Sequence, residues 1–398
     1  MATAELAELE EFRQEIRSFI EGNCPDGARG QGEIAGGGKK FPTTNPDLRR
    51  WMDTCAERGL TVPMWPKEYG GAGIGKEEFM ILIEELRRAR ARTPLAGMGT
   101  GLIGPTILEF GTHEQKLRHL IPISRGEFRW CQGYSEPSAG SDLASLRTRA
   151  EDKGDHFLVN GQKIWTSGAQ FADWIFMLVR TDPDVPKHEG ISFLLLDMDQ
   201  PGITPRPIRL ISGESPFCET FFDNAIARKD DLIGELNKGW TVGKRLLQHE
   251  RSSLGTLVGG QRRDPGPRLG DVAKRYLGEV DGRIDHADVR ARVIRNELNG
   301  EAFRLTQKRT VEETKDAKTP GPATSMFKVY GSELMQQRIE LTRQIRGVQG
   351  LGWEGDAFSQ EEIESTRTWL SSRAMSIYSG SNEIQRNIIA KRVLGLPD

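Results

Sequence analysis

Cysteine is scarce in this chain, and the spacings typical of metal sites are missing. The four cysteines, Cys24, Cys55, Cys131 and Cys218, form no Cys-x-x-Cys pair. Neither they nor the six histidines have the spacing of zinc ligands. Scattered cysteines are typical of reduced thiols in a cytoplasm. The sequence therefore predicts reduced thiols and no metal site.

A large excess of one charge is missing as well, and so are long apolar runs. Lysine and arginine number 55 against 57 for aspartate and glutamate, which leaves a net charge of −2 and nothing that favours a nucleic-acid partner. No apolar run approaches the roughly 20 residues that a membrane-spanning helix needs. The stretch 1–11 is acidic and lacks the apolar core of a signal peptide. We therefore predict a cytoplasmic protein that binds neither nucleic acid nor membrane.

Two common catalytic motifs are also absent. Residues 70–76 fit the start of a P-loop, but Glu77 stands where a serine or threonine must bind magnesium, and Pro66 is unsuited to the central strand that precedes such a loop. No Gly-x-Ser-x-Gly occurs, so a serine hydrolase is unsupported.

The pattern of residues that is present changes twice along the 398 residues. Apolar residues at helical spacing dominate 1–124, short segments separated by Gly, Pro and Asp clusters occupy 125–236, and helical patterns return over 237–398. The predicted architecture is α+β. It has an N-terminal all-α domain, a middle antiparallel β domain and a C-terminal helical bundle domain with those boundaries.

The most informative stretch begins with a loop of small residues and hydroxyls, 134–142. Small residues there, such as Gly140, let a flat ring or a phosphate approach the backbone closely. Trp165 is suited to forming an aromatic wall, and nearby hydroxyls can bond the polar edge of a ring. The hydroxyls are those of Ser135, Ser141, Thr166 and Ser167. The same composition suits an ordinary Gly/Ser-rich turn in an antiparallel sheet, so the residues alone leave both interpretations open.

Local turn signals divide the rest of this stretch. Lys153-Gly154 predicts one turn, and Asn160-Gly161 predicts a type I′ hairpin turn between strands at 156–160 and 162–166. The apolar run 172–180 predicts a buried strand.

Two motifs in this stretch have the order and spacing of a known family signature. The loop Tyr134-Ser135-Glu136-Pro137-Ser138-Ala139-Gly140-Ser141-Asp142 is followed by Asn160-Gly161-Gln162-Lys163-Ile164-Trp165-Thr166-Ser167. Together they resemble the central signature of the acyl-CoA dehydrogenases, flavoproteins that desaturate acyl thioesters. The loop 63–73 and the C-terminal stretch 377–387 are similar to two further motifs of that family. The resemblance implies a four-helix bundle for the C-terminal domain.

The resemblance also implies a cofactor and the residues that hold it. FAD would be bound by Tyr134, Ser135, Gly140, Ser141, Trp165, Ser167, Gln344, Ser381 and Glu383. The acyl-CoA would be bound by Ser141, Arg251 and Ser379, the last through a backbone amide on the thioester carbonyl.

The catalytic base has two possible positions in this family, and one of them is empty here. Many members carry a glutamate where this chain has Ser379, and a serine without a nearby histidine cannot remove a weakly acidic α-proton. Glu250 falls on the apolar stripe of a helix predicted over 239–260, together with Val242 and Leu246. A carboxylate there is either half of a buried ion pair or a catalytic group. The segment 247–251 resembles the Leu-x-x-Glu-Arg of isovaleryl- and long-chain-type members, which implies that Glu250 is the base.

The implied reaction is α,β-dehydrogenation of an acyl-CoA to the 2-enoyl-CoA, with electrons passed to an electron-transfer flavoprotein. A homotetramer or heterotetramer is expected. One departure stands out, because 261–268 lacks the Arg-x-x-Phe-Gly whose arginine reaches the flavin of a neighbouring subunit. Two alternatives therefore stay open. One is a subunit of a heteromeric enzyme whose paralogous partner supplies part of the active site, and the other is a flavin oxidase relative. The sequence does not predict the acyl group.

Overall fold

The computed structural model describes residues 2–248, 268–313 and 324–397. They belong to two compact units, one of 1–208 with 216–260 and one of 209–215 with 261–398. The second half of the helix predicted over 239–260 and the departure at 261–267 lie outside the described residues.

Five α-helices precede the sheet in the first unit, as the apolar spacing predicts. They are α1 Ala2–Asn23, α2 Pro46–Glu57, α3 Lys76–Arg88, α4 Gly104–Phe110 and α5 His113–Ser124. α2 begins where it does because the Asn45 side chain accepts hydrogen bonds from the amides of Asp47 and Leu48. A capping box of Thr112 and Gln115 starts α5 in the same way.

The first and third helices are joined by a buried carboxylate. Glu85 on α3 is 2% exposed and accepts hydrogen bonds from Arg13 and Arg17 on α1 and from Arg88 on its own helix. The bond from Arg17, with those from the other arginines, lowers the pKa of Glu85 to about 2 although burial opposes the shift. The carboxylate is therefore ionised and paired at neutral pH.

Seven strands form the sheet of the first unit. They are β1 Trp130–Gly133, β2 Arg149–Asp152, β3 His156–Ser167, β4 Trp174–Arg180, β5 Ile191–Asp197, β6 Ile203–Ile208 and β7 Phe217–Arg228. The order is β1-β4-β2-β3-β7-β6, with β5 also paired to β4. Most pairings are antiparallel as predicted, but β1 and β2 lie parallel to β4. A parallel pair needs a long connection. Between β1 and β4 the chain passes through the loop 134–148 and the β2–β3 hairpin, so β4 can run in the same direction as β1.

The hairpin predicted at Asn160-Gly161 is wrong. β3 runs without interruption through both residues, and only a register shift against β7 marks them. The Asn160 side chain accepts from the Asn224 amide at 2.8 Å. A Cβ on Gly161 would lie 2.7 Å from the Thr148 Cα. The glycine therefore serves a close approach of Thr148 rather than a turn. The turn at Lys153-Gly154 is confirmed, because it joins β2 to β3.

The predicted buried strand is confirmed at the centre of the unit. Phe176 and Leu178 of β4 pack into one core cluster, while Ile175, Met177 and Val179 pack into another on the opposite face. A helix described over 239–248, α6, places Val242 and Leu246 in the first of these clusters.

Within 268–313 and 324–397, the regular structure of the second unit is helical apart from one short hairpin. Its helices are α7 Leu269–Leu277, α8 Ala287–Glu313, α9 Thr324–Arg346, α10 Gln360–Ser371 and α11 Asn382–Ile388, and its hairpin is formed by β8 Glu279–Val280 and β9 Arg283–Ile284. The sequence predicts α8 to α11 but not α7 or the hairpin. Along the chain, helices come before and after the strands of the sheet, and this confirms the predicted α+β class. Among the described helices, none combines the length and the apolar character needed to cross a membrane.

Candidate active site

The loop from Tyr134 to Thr148 begins inside the first unit and emerges at its surface. Tyr134 is buried in the core, whereas Gly140 and Ser141 are exposed. A Cβ added to Gly140 would meet no atom within 4 Å, so open space adjoins the backbone there. The loop thus presents accessible backbone and a hydroxyl where a ligand can reach them.

Trp165 lies in a β-bulge beside this loop. Lys163 pairs with Thr220 and Thr166 with Cys218, so β3 has two residues where β7 has one. Trp165 adopts φ 61°, a left-handed conformation that is costly for a residue with a side chain. Its side chain is 52% exposed, and among the rings of the described residues it meets only that of Phe217, edge to face. A strained, exposed tryptophan is suited to contact with a ligand rather than to core packing.

Backbone pairing brings the start of the loop beside the bulge. The Ile164 amide donates to the Ser135 carbonyl at 2.9 Å, so Ser135 lies next to the residue that precedes Trp165. Within residues 2–248, 268–313 and 324–397, the hydroxyls of Ser135, Ser141 and Ser167 have no hydrogen-bond partner. These three hydroxyls remain available to a polar ligand. The Thr166 hydroxyl, predicted together with them, is instead buried and bonds the Cys218 carbonyl and the Thr220 hydroxyl.

Two charged residues that the sequence analysis did not single out lie beneath the loop. Lys163 is fully buried, and its ammonium donates to the Glu136 carboxylate at 2.8 Å and to the Tyr134 carbonyl at 3.1 Å. Burial lowers the pKa of Lys163 to about 8, against the opposing charge of Glu136. Burial would raise the pKa of Glu136, but Lys163 and several hydrogen bonds hold it below its ordinary value. The period-two pattern was a usable signal, because Lys163 is in phase with buried Phe157 and Val159 on β3.

Three further predicted ligand residues, Ser379, Ser381 and Glu383, lie in the second unit around the start of α11. Ser379 and Gly380 both have positive φ, 54° and 82°. Ser381 caps the helix, because its side chain accepts a hydrogen bond from the Ile384 amide. The Glu383 backbone amide and the Ser381 side chain lower the pKa of the exposed Glu383 carboxyl. This helix start therefore offers a strained backbone next to an ionised carboxylate.

Gln344 is not brought to this helix start within the chain. It is exposed on α9, where it accepts from Arg292 and donates to Glu340. Asn382 at the start of α11 contacts α9 at Ser332, and the twelve residues from there to Gln344 span about 18 Å of helix. The predicted ligand residues of the second unit thus lie at two separate places, one at the start of α11 beside Ser332 and the other at Gln344 on α9.

The predicted base and one predicted substrate contact, Glu250 and Arg251, lie outside the described residues. The described part of their helix, 239–248, does bury its predicted apolar stripe, because Val242 and Leu246 are 2% and 0% exposed. In the ranges that are described, no group of three histidine, cysteine, aspartate or glutamate side chains is placed to hold a metal ion.

Comparison with known proteins identifies the family of this chain. Three family models match in chain order, and together they cover most of the chain: the N-terminal domain of acyl-CoA dehydrogenase over residues 7–127, its middle domain over 131–225 and its C-terminal domain over 237–394. The chain belongs to the acyl-CoA dehydrogenase family. Members of this family are FAD-dependent oxidoreductases, and the resemblance seen in the motifs is confirmed.

The similarity to relatives and to solved structures extends over nearly the full length of the chain. Acyl-CoA dehydrogenase IpdE1 of Mycolicibacterium smegmatis is 36% identical over 98% of this chain and 99% of its own. The solved Tcur3481-Tcur3483 steroid ACAD is 32% identical, with a TM-score of 0.75 over 98% of each chain. The ChsE4-ChsE5 complex from Mycobacterium tuberculosis is 29% identical, with a TM-score of 0.71 over 98% of each chain.

Proposed function

We propose that this protein binds FAD and oxidises an acyl-CoA thioester to the 2-enoyl-CoA, with an electron-transfer flavoprotein as the electron acceptor. The observation that carries the proposal is the exposed, left-handed Trp165 in its bulge beside the Ser135 backbone. Retaining a strained aromatic residue at an exposed position costs stability, which a ligand contact would account for.

The described residues of the first unit fit a flavin. A flat aromatic ring with polar edges needs an aromatic wall, free hydroxyls and close access to backbone. Trp165 supplies the wall, Ser135 and Ser167 supply hydroxyls without partners among the described residues, and Gly140 leaves open space. Tyr134, Ser141, Ser381, Glu383 and Gln344 are proposed as further contacts. When bound, FAD would supply the acceptor for the hydride and the two electrons that it carries.

Proton removal is assigned to Glu250. Residues 242, 246 and 250 are spaced by four, so they would share one face if the helix continues through 250 as the sequence predicts, and the first two are buried in the core. A carboxylate on that face would be desolvated, which raises the pKa of a carboxyl group and makes it a stronger base. The Ser379 amide is proposed to donate to the thioester carbonyl, which favours loss of the α-proton. Arg251 is proposed to contact the CoA portion.

A bulky, apolar acyl group is favoured. The described side chains Met98, Leu102, Leu143 and Leu247 are partly buried and pack on the same core cluster as Tyr134. Gly101, between the first two, has no atom within 4 Å of an added Cβ, which leaves space beside them. One solved relative is a steroid ACAD, and a steroid is a group of this size and polarity.

An oligomer of two kinds of chain is favoured over a monomer. Ser381 precedes Asn382, which contacts α9 at Ser332, and Gln344 lies about 18 Å further along α9. The two residues are therefore too far apart to meet one small ligand group within one chain. The missing Arg-x-x-Phe-Gly at 261–268 leaves a contact for a partner to supply. Two solved relatives carry paired names, and one of them is a complex. Exposed Ile294, Leu298 and Leu305 along α8 would be covered by such a partner.

Anaerobic titration of the purified flavoprotein with a panel of acyl-CoA thioesters tests the proposal. Bleaching of the flavin by thioesters with fused-ring acyl groups, and reoxidation by electron-transfer flavoprotein faster than by air, is the expected result. Rapid turnover with oxygen alone would instead identify the flavin oxidase alternative. A folded protein that does not take up FAD, even with a co-expressed paralogue, would overturn the proposal.

A further inference from the structure

The candidate flavin loop is long, exposed in its middle and poor in regular structure. It runs from Tyr134 at the end of β1 to Thr148 at the start of β2, with a single 3-10 turn at Leu143–Ser145. Ordering such a segment costs backbone entropy for every residue. Its shape therefore has to be imposed by contacts from the body of the unit.

The Glu136 carboxylate closes this loop on itself. One oxygen accepts from the Arg147 amide at 2.6 Å, and the other accepts from the Thr148 amide at 2.9 Å. The residue near the start of the loop is thus tied to the two residues at its end. Charge-assisted bonds to backbone amides are among the stronger hydrogen bonds in proteins.

Lys163 fixes the same carboxylate to β3. Its ammonium bonds Glu136 and the Tyr134 carbonyl, and the next residue, Ile164, donates its amide to the Ser135 carbonyl. Trp165 follows directly in the chain. One short piece of β3 therefore holds the start of the loop and carries the exposed tryptophan.

Stability alone is a weak reason for this pair. A buried ion pair loses much of its attraction to desolvation, and apolar replacements of similar volume are often as stable. We infer that Lys163 and Glu136 are positioning residues, whose buried ion pair holds Tyr134, Ser135 and Trp165 in the arrangement that binds FAD. The inference rests on the proposed function.

The pair should therefore control flavin affinity, which can be measured apart from activity. FAD is titrated into flavin-free protein, well below the thermal midpoint, for the wild type, Lys163→Met and Glu136→Gln. The control is Lys153→Met, which breaks an exposed ion pair with Glu151 in the same sheet. We expect the FAD dissociation constant to rise by about tenfold or more in the first two variants, as for loss of a buried charged partner, and to be unchanged in the control.

The pH dependence of the FAD dissociation constant in the wild type is a second readout. If the ion pair only stabilised the fold, this dissociation constant would not depend on its protonation. The charged groups that face Lys163 are Glu136 and Arg180. The ammonium loses its proton as pH rises through about 8, so the pair is broken above that pH. From about pH 6.5 to about pH 9 the dissociation constant should rise in the wild type and stay flat in Lys163→Met.

The outcomes separate the inference from the proposed function. Wild-type protein that binds no FAD overturns both. Wild-type protein that binds FAD, with variants that bind within about twofold of it and only lose thermal stability, overturns the inference alone. If Lys163→Met does not fold, a wild-type dissociation constant that is flat across the same pH range overturns the inference.

Discussion

The indole of Trp165 meets the ring of Phe217 edge to face, with ring centroids 6.1 Å apart and planes at 88°. The contact spans the bulge between β3 and β7, where Trp165 holds a left-handed backbone. Because about half of the Trp165 side chain is open to solvent, its contribution to folding is small compared with the contact that it offers a ligand.

Replacing Trp165 with glycine should separate stability from flavin binding. Glycine adopts positive φ freely, so the relieved strain offsets the lost ring contact, and the free energy of unfolding should change by no more than about 1 kcal/mol. FAD affinity should fall by about tenfold or more, because aromatic stacking is lost. Chemical denaturation and flavin titration of one preparation measure both quantities.

Ile226→Ala is the matched control, since Ile226 on β7 is 51% exposed in the same sheet. It should leave FAD affinity unchanged. Equal flavin affinity in Trp165→Gly and the wild type would contradict the ligand role of the indole.

Glu250→Gln should abolish most flavin reduction without preventing FAD or acyl-CoA binding. A general base contributes about 10²–10⁴-fold, so single-turnover bleaching should slow by at least that scale. Partial recovery in the double variant with Ser379→Glu would show that the pocket accepts a base from either family position. Near wild-type bleaching with a lowered thermal midpoint would instead show that Glu250 is half of a structural ion pair.

Lys163 should make the fold more stable at alkaline pH. Its pKa is about 8 in the folded chain and 10.5 without the protein environment, so the unfolded chain binds the extra proton between those values. The free energy of unfolding of the wild type, relative to Lys163→Met, should therefore rise with pH across that window. Urea unfolding of both proteins measures the difference, and a flat or falling difference would contradict the lowered pKa.

Acid should weaken the attachment of α1 to α3 through Glu85. Its pKa is about 2 in the folded chain and 4.5 unfolded, so its stabilising contribution is complete above about pH 4.5 and is lost as pH falls towards 2. Glu85→Gln should cost about 3 kcal/mol at neutral pH and lose this pH dependence. Denaturation of both proteins between those pH values is the test, with Glu84→Gln, an exposed neighbour, as control.

Periodicity predicted the described helices other than α7, and it predicted the buried β4, because these elements depend on which face is apolar. Asn160-Gly161 misled because a short local signal cannot show what approaches from elsewhere in the chain. The neighbour that makes glycine necessary is Thr148, which belongs to another part of the sheet. The bulge at Trp165 is similar, since it depends on the register between β3 and β7, whose partners are more than fifty residues apart.

The candidate site likewise has parts that local sequence predicts and parts that depend on distant residues. The hydroxyls and the tryptophan that are proposed to contact the flavin could be singled out from motifs that are contiguous in the sequence. The Glu136–Lys163 pair is defined by bonds among three segments, the start of the loop, its end and β3, and only the inward phase of Lys163 on β3 hinted at it.

The burial of α6 in the first unit has a practical meaning for dissecting the protein. Val242 and Leu246 complete a core that also contains Phe176 and Leu178, although the C-terminal family model begins at residue 237. A fragment that ends at residue 236 would lose both apolar side chains, whose burial stabilises the fold by about 1.5–3 kcal/mol each. It would also expose the apolar surface that they cover, which favours aggregation. Expression of the first unit alone should therefore retain the chain through at least residue 248.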